Sequence, residues 1–194
     1  GLADSIRFAF SGQEPGGFNL VESLLSHDHV YQRANELVTF IDNHDMPRFL
    51  SLCSSPRSLE QALSLLFSLR GVPCLFYGTE QYLVDNTDGG NYPYNRPMMS
   101  TWDRKGSCFT LIETLIATRR NNQALTFGSH NQLYVSDDIY AFIRSYRDHN
   151  AICVVNKGDF AEINLHLPCR LPTHVLSCSL SGTQHLIDNG ILHL

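Results

Sequence analysis

The segment Leu37–Arg48, LVTFIDNHDMPR, holds the densest group of side chains suited to acid–base or hydrogen-bonding chemistry. Five uncharged residues, Leu37–Ile41, run directly into the acids, amide and imidazole of Asp42–Asp45. Five such residues suffice for one buried strand, and in parallel α/β proteins active groups project from the carboxyl ends of strands. The segment therefore predicts a strand that delivers polar groups to the edge of a sheet.

A second apolar run, Val72–Tyr77, has the same character and leads into Gly78. Between the two runs, apolar residues at helical spacing predict a helix, with Ser58 and Gln61 as a capping box and Gly71 as its stop. Strand, helix and strand joined by short connections indicate a βαβ unit with parallel strands.

Further helices are predicted at Leu2–Phe10, Phe18–Ser26 and Cys108–Arg120 from the spacing of their apolar residues. After Gly128 the pattern changes to short alternating or apolar runs, which predict an antiparallel β module from residue 129 to residue 194. Its predicted strands and hairpin turn are Ile139–Arg147, Ala151–Val155, Glu162–Leu167 and the turn Asn189-Gly190.

Two parallel strands cannot close a sheet by themselves, and a (β/α)8 barrel takes about 250 residues. Residues 1–128 therefore fit the last quarter of such a barrel, which predicts an α/β fold and a chain that is a fragment.

Composition argues against several classes of protein. The formal net charge is -5, and no Lys/Arg cluster is longer than Arg119-Arg120, so a nucleic-acid partner is not expected. No stretch approaches the roughly 20 apolar residues of a membrane span, so no membrane partner is expected either.

The six cysteines do not form a CxxC pair, and no metal site is predicted on this chain. Cys74 and Cys153 lie in apolar runs and are predicted to be buried thiols, whereas Cys169 and Cys178 could form a bridge if geometry allows. The group His27–His29 is interpreted as a solvated loop.

Three stretches together carry a family resemblance: FIDNHD at Phe40–Asp45, GVPCLFYGTEQ at Gly71–Gln81 and NRPMM at Asn95–Met99. They resemble the α-amylase superfamily, glycoside hydrolase family thirteen, and within it α-amylases and cyclodextrin glucanotransferases. The resemblance implies that residues 1–128 are the C-terminal part of the catalytic (β/α)8 TIM barrel, and that residues 129–194 are a truncated β-sandwich C-domain.

The resemblance also implies roles for four residues. Asp45 resembles the family's third catalytic carboxylate, which grips sugar hydroxyls and helps stabilise the transition state, and His44, Asn43 and Arg96 resemble substrate-binding residues. Tyr92 stands where the family often has an aspartate that holds sugar, which puts that contact in doubt.

In the family the nucleophile and the general acid lie on earlier strands, and no matching motif precedes residue 37. Retaining hydrolysis needs both carboxylates, so the resemblance predicts that this chain alone is inactive. No cofactor is expected on this chain, and calcium is expected only in a full-length parent.

The resulting prediction is the C-terminal part of an α-amylase-type hydrolase that acts on α-1,4-glucans such as starch or maltodextrin by a retaining mechanism. An α-glucan or maltooligosaccharide would be its partner, and the resemblance favours an extracellular location. Two alternatives stay open: a cyclodextrin glucanotransferase-type transglycosylase, and a non-catalytic carbohydrate-binding protein.

Overall fold

A computed structural model describes residues 1–53, 55–169, 171 and 173–194. The first part of the chain is helical and surrounds a small parallel sheet, and the second part is made of antiparallel strands. The helices are α1 (Leu2–Ser11), α2 (Phe18–Leu25), α3 (Phe49–Leu52), α4 (Pro56–Ser68), α5 (Ser107–Asn121) and α6 (Gln123–Phe127). The strands are β1 (Val38–Thr39), β2 (Val72–Pro73), β3 (Ser129–Val135), β4 (Ile139–Tyr146), β5 (His149–Asn156), β6 (Asn164–His166), β7 (Val175–Ser177), β8 (Gln184–Asp188) and β9 (Ile191–His193).

Strands β1 and β2 pair in parallel, with Val38 opposite Val72 and Thr39 opposite Pro73. Their place and direction confirm the predicted strand–helix–strand order, but both strands are shorter than predicted. Beyond the pair, the backbone takes other partners: the carbonyl of Tyr77, for example, accepts a hydrogen bond from the Arg48 side chain. The two strands thus end early, before the polar loops that begin at Asp42 and Gly78.

Helix α4 lies between them as predicted, but its start differs from the prediction. It begins with Pro56 in the first turn after Ser55, and the predicted capping box of Ser58 and Gln61 is wrong. Gln61 instead donates its side-chain amide to the Asn156 carbonyl, 2.6 Å away, in the β module. The Gln61 side chain thus bonds to a residue distant in the sequence instead of capping its own helix.

Gly71 connects α4 to β2, although the helix has already ended at Ser68. Its φ is +101°, and a Cβ there would lie 2.5 Å from the Leu37 carbonyl oxygen. Glycine is required because the backbone is in a left-handed region and approaches β1 closely.

The β module is a sandwich of two antiparallel sheets, with orders β3-β4-β5 and β6-β9-β8-β7. The predicted strands and the Asn189-Gly190 hairpin turn are confirmed, while β3 and β7 were not predicted. Apolar side chains from both sheets form the core between them: Leu133, Ala141, Ile152, Leu165, Ile187 and Leu192.

The first sheet of the module also packs on the helices. Phe18 of α2 belongs to the same buried cluster as Tyr140, Phe142 and Val155 of β4 and β5. The predicted boundary at residue 128 lies between α6 and β3, and the division into two domains stays a prediction.

The cysteine predictions fare differently. Cys74 is exposed, so its predicted burial is wrong, and Cys153 is only partly buried. Cys74 follows β2 and lies two residues after the exposed Val72. Side chains two residues apart along an extended backbone share a face, so Cys74 lies on the face that the helices leave uncovered. Cys169 and Cys178 are free thiols and form no bridge.

Within the described ranges, none of the helices combines the length and apolar character that a bilayer crossing needs. In the same residues, no three His, Cys, Asp or Glu side chains are arranged to hold a metal ion. His27 and His29 lie at the surface, while Asp28 forms a bidentate ion pair with the buried Arg70.

Candidate active-site edge

The polar loop at residues 42–48 follows β1 and rests on a buried ion pair. The Asp42 carboxylate lies 3.3 Å from the Arg48 Nε and accepts hydrogen bonds from the Phe49 amide at 3.0 Å and the Thr79 hydroxyl at 3.3 Å. Arg48 donates to the Tyr77 carbonyl at 2.8 Å and to the Thr79 hydroxyl at 2.9 Å. This network ties the loop after β1 to the loop after β2.

Burial dominates the electrostatics of this pair. It raises the pKa of Asp42, and the neighbouring Arg48 charge opposes that rise; it likewise lowers the pKa of Arg48. The Arg48 guanidinium also lies 4.4 Å from the centre of the Phe76 ring. Because Asp42 is 3% exposed and engaged on all sides, its position is that of a structural residue under the loop.

The next residues turn outward. The Asp45 side chain is 70% exposed and that of His44 is 61% exposed, with 3.2 Å between His44 Nε2 and an Asp45 carboxylate oxygen. The Asn43 side-chain oxygen accepts the Asp45 backbone N–H at 2.8 Å and so shapes the turn. The loop thus presents a carboxylate and an imidazole side by side.

Arg96 reaches the same place from the loop after β2. Its Nε donates to the His44 carbonyl at 3.0 Å, and its Nη2 lies 3.6 Å from the Asp45 carboxylate. The guanidinium lies 4.9 Å from the centre of the Tyr92 ring. The structure therefore brings together all four residues predicted from the sequence, whose roles toward a substrate stay predictions.

Two residues that hold this loop were not predicted. Asn95, 1% exposed, donates its side-chain amide to the carbonyls of His44 and Met46. Arg7 of α1 donates to the Met46 sulfur at 3.0 Å and to the Pro47 carbonyl at 3.4 Å. Asn95 could have been found because it lies in the NRPMM motif, whereas nothing in the sequence indicates that Arg7 reaches this loop.

We call residues 42–48 together with Asn95 and Arg96 the candidate edge. Its exposed carboxylate can accept two hydrogen bonds from hydroxyl groups, and the imidazole and guanidinium can donate others. Such a set suits a ligand that is rich in neighbouring hydroxyls. Of the two carboxylates on the loop, only Asp45 is accessible, since Asp42 is buried.

The candidate edge is an open surface, and a cleft of about 560 Å³ lies elsewhere, at the opposite ends of β1 and β2. Residues that precede the two strands line this cleft, among them Asn35 and Gly71, together with Phe127 of α6. We place the chemistry at the candidate edge because the cleft lacks a group of converging carboxylate and imidazole side chains.

Comparison with known proteins places these features in a family. The family model described as "Alpha amylase, catalytic domain" matches residues 16–105. An α-amylase from Niallia circulans is 35% identical over 97% of this chain, and a cyclomaltodextrin glucanotransferase from Bacillus licheniformis is 34% identical over 96% of it. This chain covers 36% and 26% of those two proteins, so it spans about a third or less of their length.

Among solved structures, a cyclomaltodextrin glucanotransferase with a three-domain ABC distribution superposes with a TM-score of 0.91 and 36% identity. The match covers 99% of this chain and 40% of that one. The fold is accordingly the C-terminal portion of a (β/α)8 barrel followed by an antiparallel β-sandwich. On these comparisons, the chain belongs to the α-amylase family.

Proposed function

We propose that this chain supplies one wall of the active site of a retaining enzyme that acts on α-1,4-glucans, with Asp45 as its supporting catalytic carboxylate. The observation that carries the proposal is the convergence of Asp45, His44 and Arg96 where two parallel strands end, while the Asp45 carboxylate stays 70% exposed.

The chemistry of glycoside cleavage explains such a group. The transition state resembles an oxocarbenium ion, and hydrogen bonds to ring hydroxyls that strengthen in it supply several kcal/mol. Asp45 can accept two such bonds, and His44 can donate one to the same sugar. Arg96 lies 3.6 Å from the Asp45 carboxylate with its side chain 42% exposed, so it can contact a neighbouring sugar unit.

The choice between hydrolysis and transfer rests on what takes the glycosyl intermediate, water or another sugar. Similar relatives carry both names, α-amylase and cyclomaltodextrin glucanotransferase. Nothing at the candidate edge separates the two, since Asp45 and His44 would stabilise the transition states that form and break the intermediate, whichever acceptor takes it. Cyclic products from soluble starch, made by a protein that contains this chain and a complete barrel, would favour transfer, and linear maltose would favour hydrolysis.

The purified 194-residue chain is predicted not to hydrolyse starch. Retaining cleavage needs a nucleophile and an acid/base about 5 Å apart, and the candidate edge offers one accessible carboxylate. The measurement is the release of reducing sugar from soluble starch. Release that exceeds that of an Asp45→Asn variant would overturn this prediction.

Binding can be tested without activity. Maltotriose added to isotopically labelled chain should shift the backbone amide resonances of residues 43–46 and 96, and cellotriose, its β-1,4 counterpart, should shift them far less. Shifts confined to the β module would instead support the non-catalytic carbohydrate-binding alternative. The absence of any shift up to the solubility limit of maltotriose would count against the proposal.

A further inference from the structure

We propose that Asn95 is a positioning residue, which sets the orientation of Asp45 and His44 by holding the backbone on both sides of Asp45. This inference rests on the proposed function of Asp45. Asn95 itself is buried and would not touch a sugar, so it would act through the loop that it holds.

The contact geometry supports this role. The Asn95 Nδ2 lies 2.7 Å from the His44 carbonyl oxygen and 3.2 Å from the Met46 carbonyl oxygen, so one amide group bridges the residues before and after Asp45. Arg96 donates to the same His44 carbonyl at 3.0 Å. Two adjacent residues of one loop therefore fix one peptide group next to the candidate carboxylate.

The orientation of the Asn95 amide is determined by these acceptors. A reversed amide would direct its oxygen at two carbonyl oxygens, which repel it. The Asn95 side-chain oxygen is buried without a hydrogen-bond partner among the described residues. The two carbonyl contacts of the NH2 group are thus the hydrogen bonds that hold this side chain, and they lead only to the loop.

Asn95 is in turn fixed by its own loop. Its backbone N–H and that of Tyr94 donate to the Asn91 carbonyl, and the Tyr77 hydroxyl donates to the Pro97 carbonyl at 3.0 Å. Gly90 packs against Ser51 of α3 so closely that a Cβ there would lie 3.0 Å from the Ser51 hydroxyl. Because Asn95 lies on a segment held in this way, its hydrogen bonds to the His44 and Met46 carbonyls can act as a clamp that fixes the position of the more exposed Asp45.

Three variants separate positioning from simple loss of structure. Asn95→Leu removes both donors at similar volume, and Asn95→Asp keeps the shape but places a carboxyl group against two carbonyls. Asn91→Ala is the matched control, because among the described residues the exposed Asn91 side chain bonds only to the Asp88 carbonyl of its own loop. Hydrogen exchange of the Asp45 amide, without sugar, and maltotriose affinity are measured for each, with thermal unfolding to show that each is folded.

For Asn95→Leu we expect Asp45 amide exchange to rise by about tenfold, because the freed peptide group holds its hydrogen bond to Asn43 less well, and maltotriose affinity to fall by a similar factor. For Asn95→Asp we expect both quantities, each expressed as a ratio to the wild-type value at the same pH, to change with pH. At low pH the neutral carboxyl group can donate one hydrogen bond and restore part of the clamp, whereas its anion cannot. Asn91→Ala should match the wild type in both.

The outcomes distinguish this inference from the function beneath it. Unchanged Asp45 exchange in a folded Asn95→Leu variant would overturn the positioning role, whatever the sugar does. Faster Asp45 exchange in Asn95→Leu, together with no maltotriose binding by the wild type, would support Asn95 as a residue that positions the loop. That result would contradict the proposed function instead. Equal effects of Asn95→Asp at all pH values would also contradict the positioning role, since they would show that a hydrogen-bond donor is not what the site needs.

Discussion

The candidate edge contrasts with the seam, the contact between the helices and the first sheet of the β module, formed by Gly17, Glu22, His130, Asp137, Tyr140 and Arg144. Both regions are rich in polar groups. At the edge the functional side chains stay largely exposed, whereas at the seam Arg144 and Tyr140 are 0% exposed. The edge leaves the hydrogen-bonding groups of Asp45 and His44 open to solvent, whereas the seam pairs its own groups inside the protein.

Arg144 illustrates the seam. Its guanidinium donates to the carbonyls of Ser68, Gly128 and Ser129 at 2.8–3.1 Å, and so joins α4 to the start of β3. Burial lowers its pKa to about 10, which still leaves it charged at neutral pH. Polar groups that are buried and paired in this way are expected to stabilise the fold, and those exposed at the candidate edge to contribute little to stability; the following substitutions test that division.

The largest effect is expected from Arg144→Ala. The change removes the Arg144 donor from one buried and two partly buried hydrogen bonds and opens a cavity, so the free energy of unfolding should fall by about 3–5 kcal/mol. Arg57→Ala, at an exposed arginine in the first turn of α4, is the control and should change it by less than about 0.5 kcal/mol. Urea unfolding followed by circular dichroism measures both, and equal losses for the two variants would contradict the stabilising role of the seam.

A second substitution probes the close approach at Gly17. A Cβ there would lie 2.0 Å from the Asp137 carbonyl oxygen, and φ is +50°, so Gly17→Ala must displace the seam. Gly12→Ala is the control for a positive φ without contacts: its φ is +68° and its ψ +14°, and nothing lies within 4 Å of the added Cβ, whereas Gly17, with ψ −129°, adds backbone strain to the close approach. We expect a loss of roughly 1 kcal/mol for Gly12→Ala and of more than about 2 kcal/mol for Gly17→Ala in urea unfolding. If the two losses are equal, strain alone accounts for them and the seam is not tightly packed.

Acid should change the stability contributed by the two regions in opposite directions, because the pKa of Glu22 at the seam is lowered and that of Asp42 at the edge is raised. At the seam, burial alone would raise the pKa of Glu22, but hydrogen bonds with His130 and Tyr140 outweigh it and lower that pKa below its ordinary 4.5. Its stabilising contribution is therefore present above pH 4.5 and is lost as the pH falls through the folded-state pKa. Glu22→Gln should make stability less dependent on pH below 4.5, as measured by urea unfolding across that range.

At the edge, the raised pKa of Asp42 has the opposite consequence. Its favourable contribution is fully present below the unfolded value of 3.8 and is lost as the pH rises through the folded-state pKa. A wild-type acid transition that Glu22→Gln leaves unchanged would show that the seam does not supply the acid-sensitive contribution.

The smallest effect on stability is expected at the functional residue itself. Asp45→Asn alters an exposed side chain, and its contact with Arg96 at 3.6 Å is a surface pair of little energetic value. The free energy of unfolding should change by less than about 0.5 kcal/mol in urea unfolding. A loss above about 2 kcal/mol would show that Asp45 is a structural residue like those of the seam.

The sequence predicted the elements better than it predicted what holds them. The periodicity of α4 and α5 and the turn at Asn189-Gly190 are local properties, so they could be read from neighbouring residues. The predicted lengths of β1 and β2 and the predicted burial of Cys74 were wrong, because both properties depend on what covers a strand in space.

The same limit applies to the candidate edge. Asp45 and His44 stand at the end of an apolar run, and the roles predicted for them and for Arg96 came from the resemblance of their motifs to those of the α-amylase family. Arg48 and Arg7 were missed, since a buried arginine is defined by the carbonyls and carboxylates that surround it, and those come from distant segments. Local chemistry identified the side chains offered to a ligand, and only the fold identified those that hold them.

The most direct test of the proposed function is the maltotriose affinity of Asp45→Asn beside that of Asp148→Asn, measured by nuclear magnetic resonance titration. Asp148 is an aspartate of the β module whose side chain is 91% exposed, against 70% for Asp45. The account predicts that Asp45→Asn weakens binding by about tenfold, as expected for the loss of a hydrogen bond to a charged group, while Asp148→Asn binds like the wild type. Equal affinities of all three proteins, each folded, would contradict the assignment of the sugar site to the candidate edge.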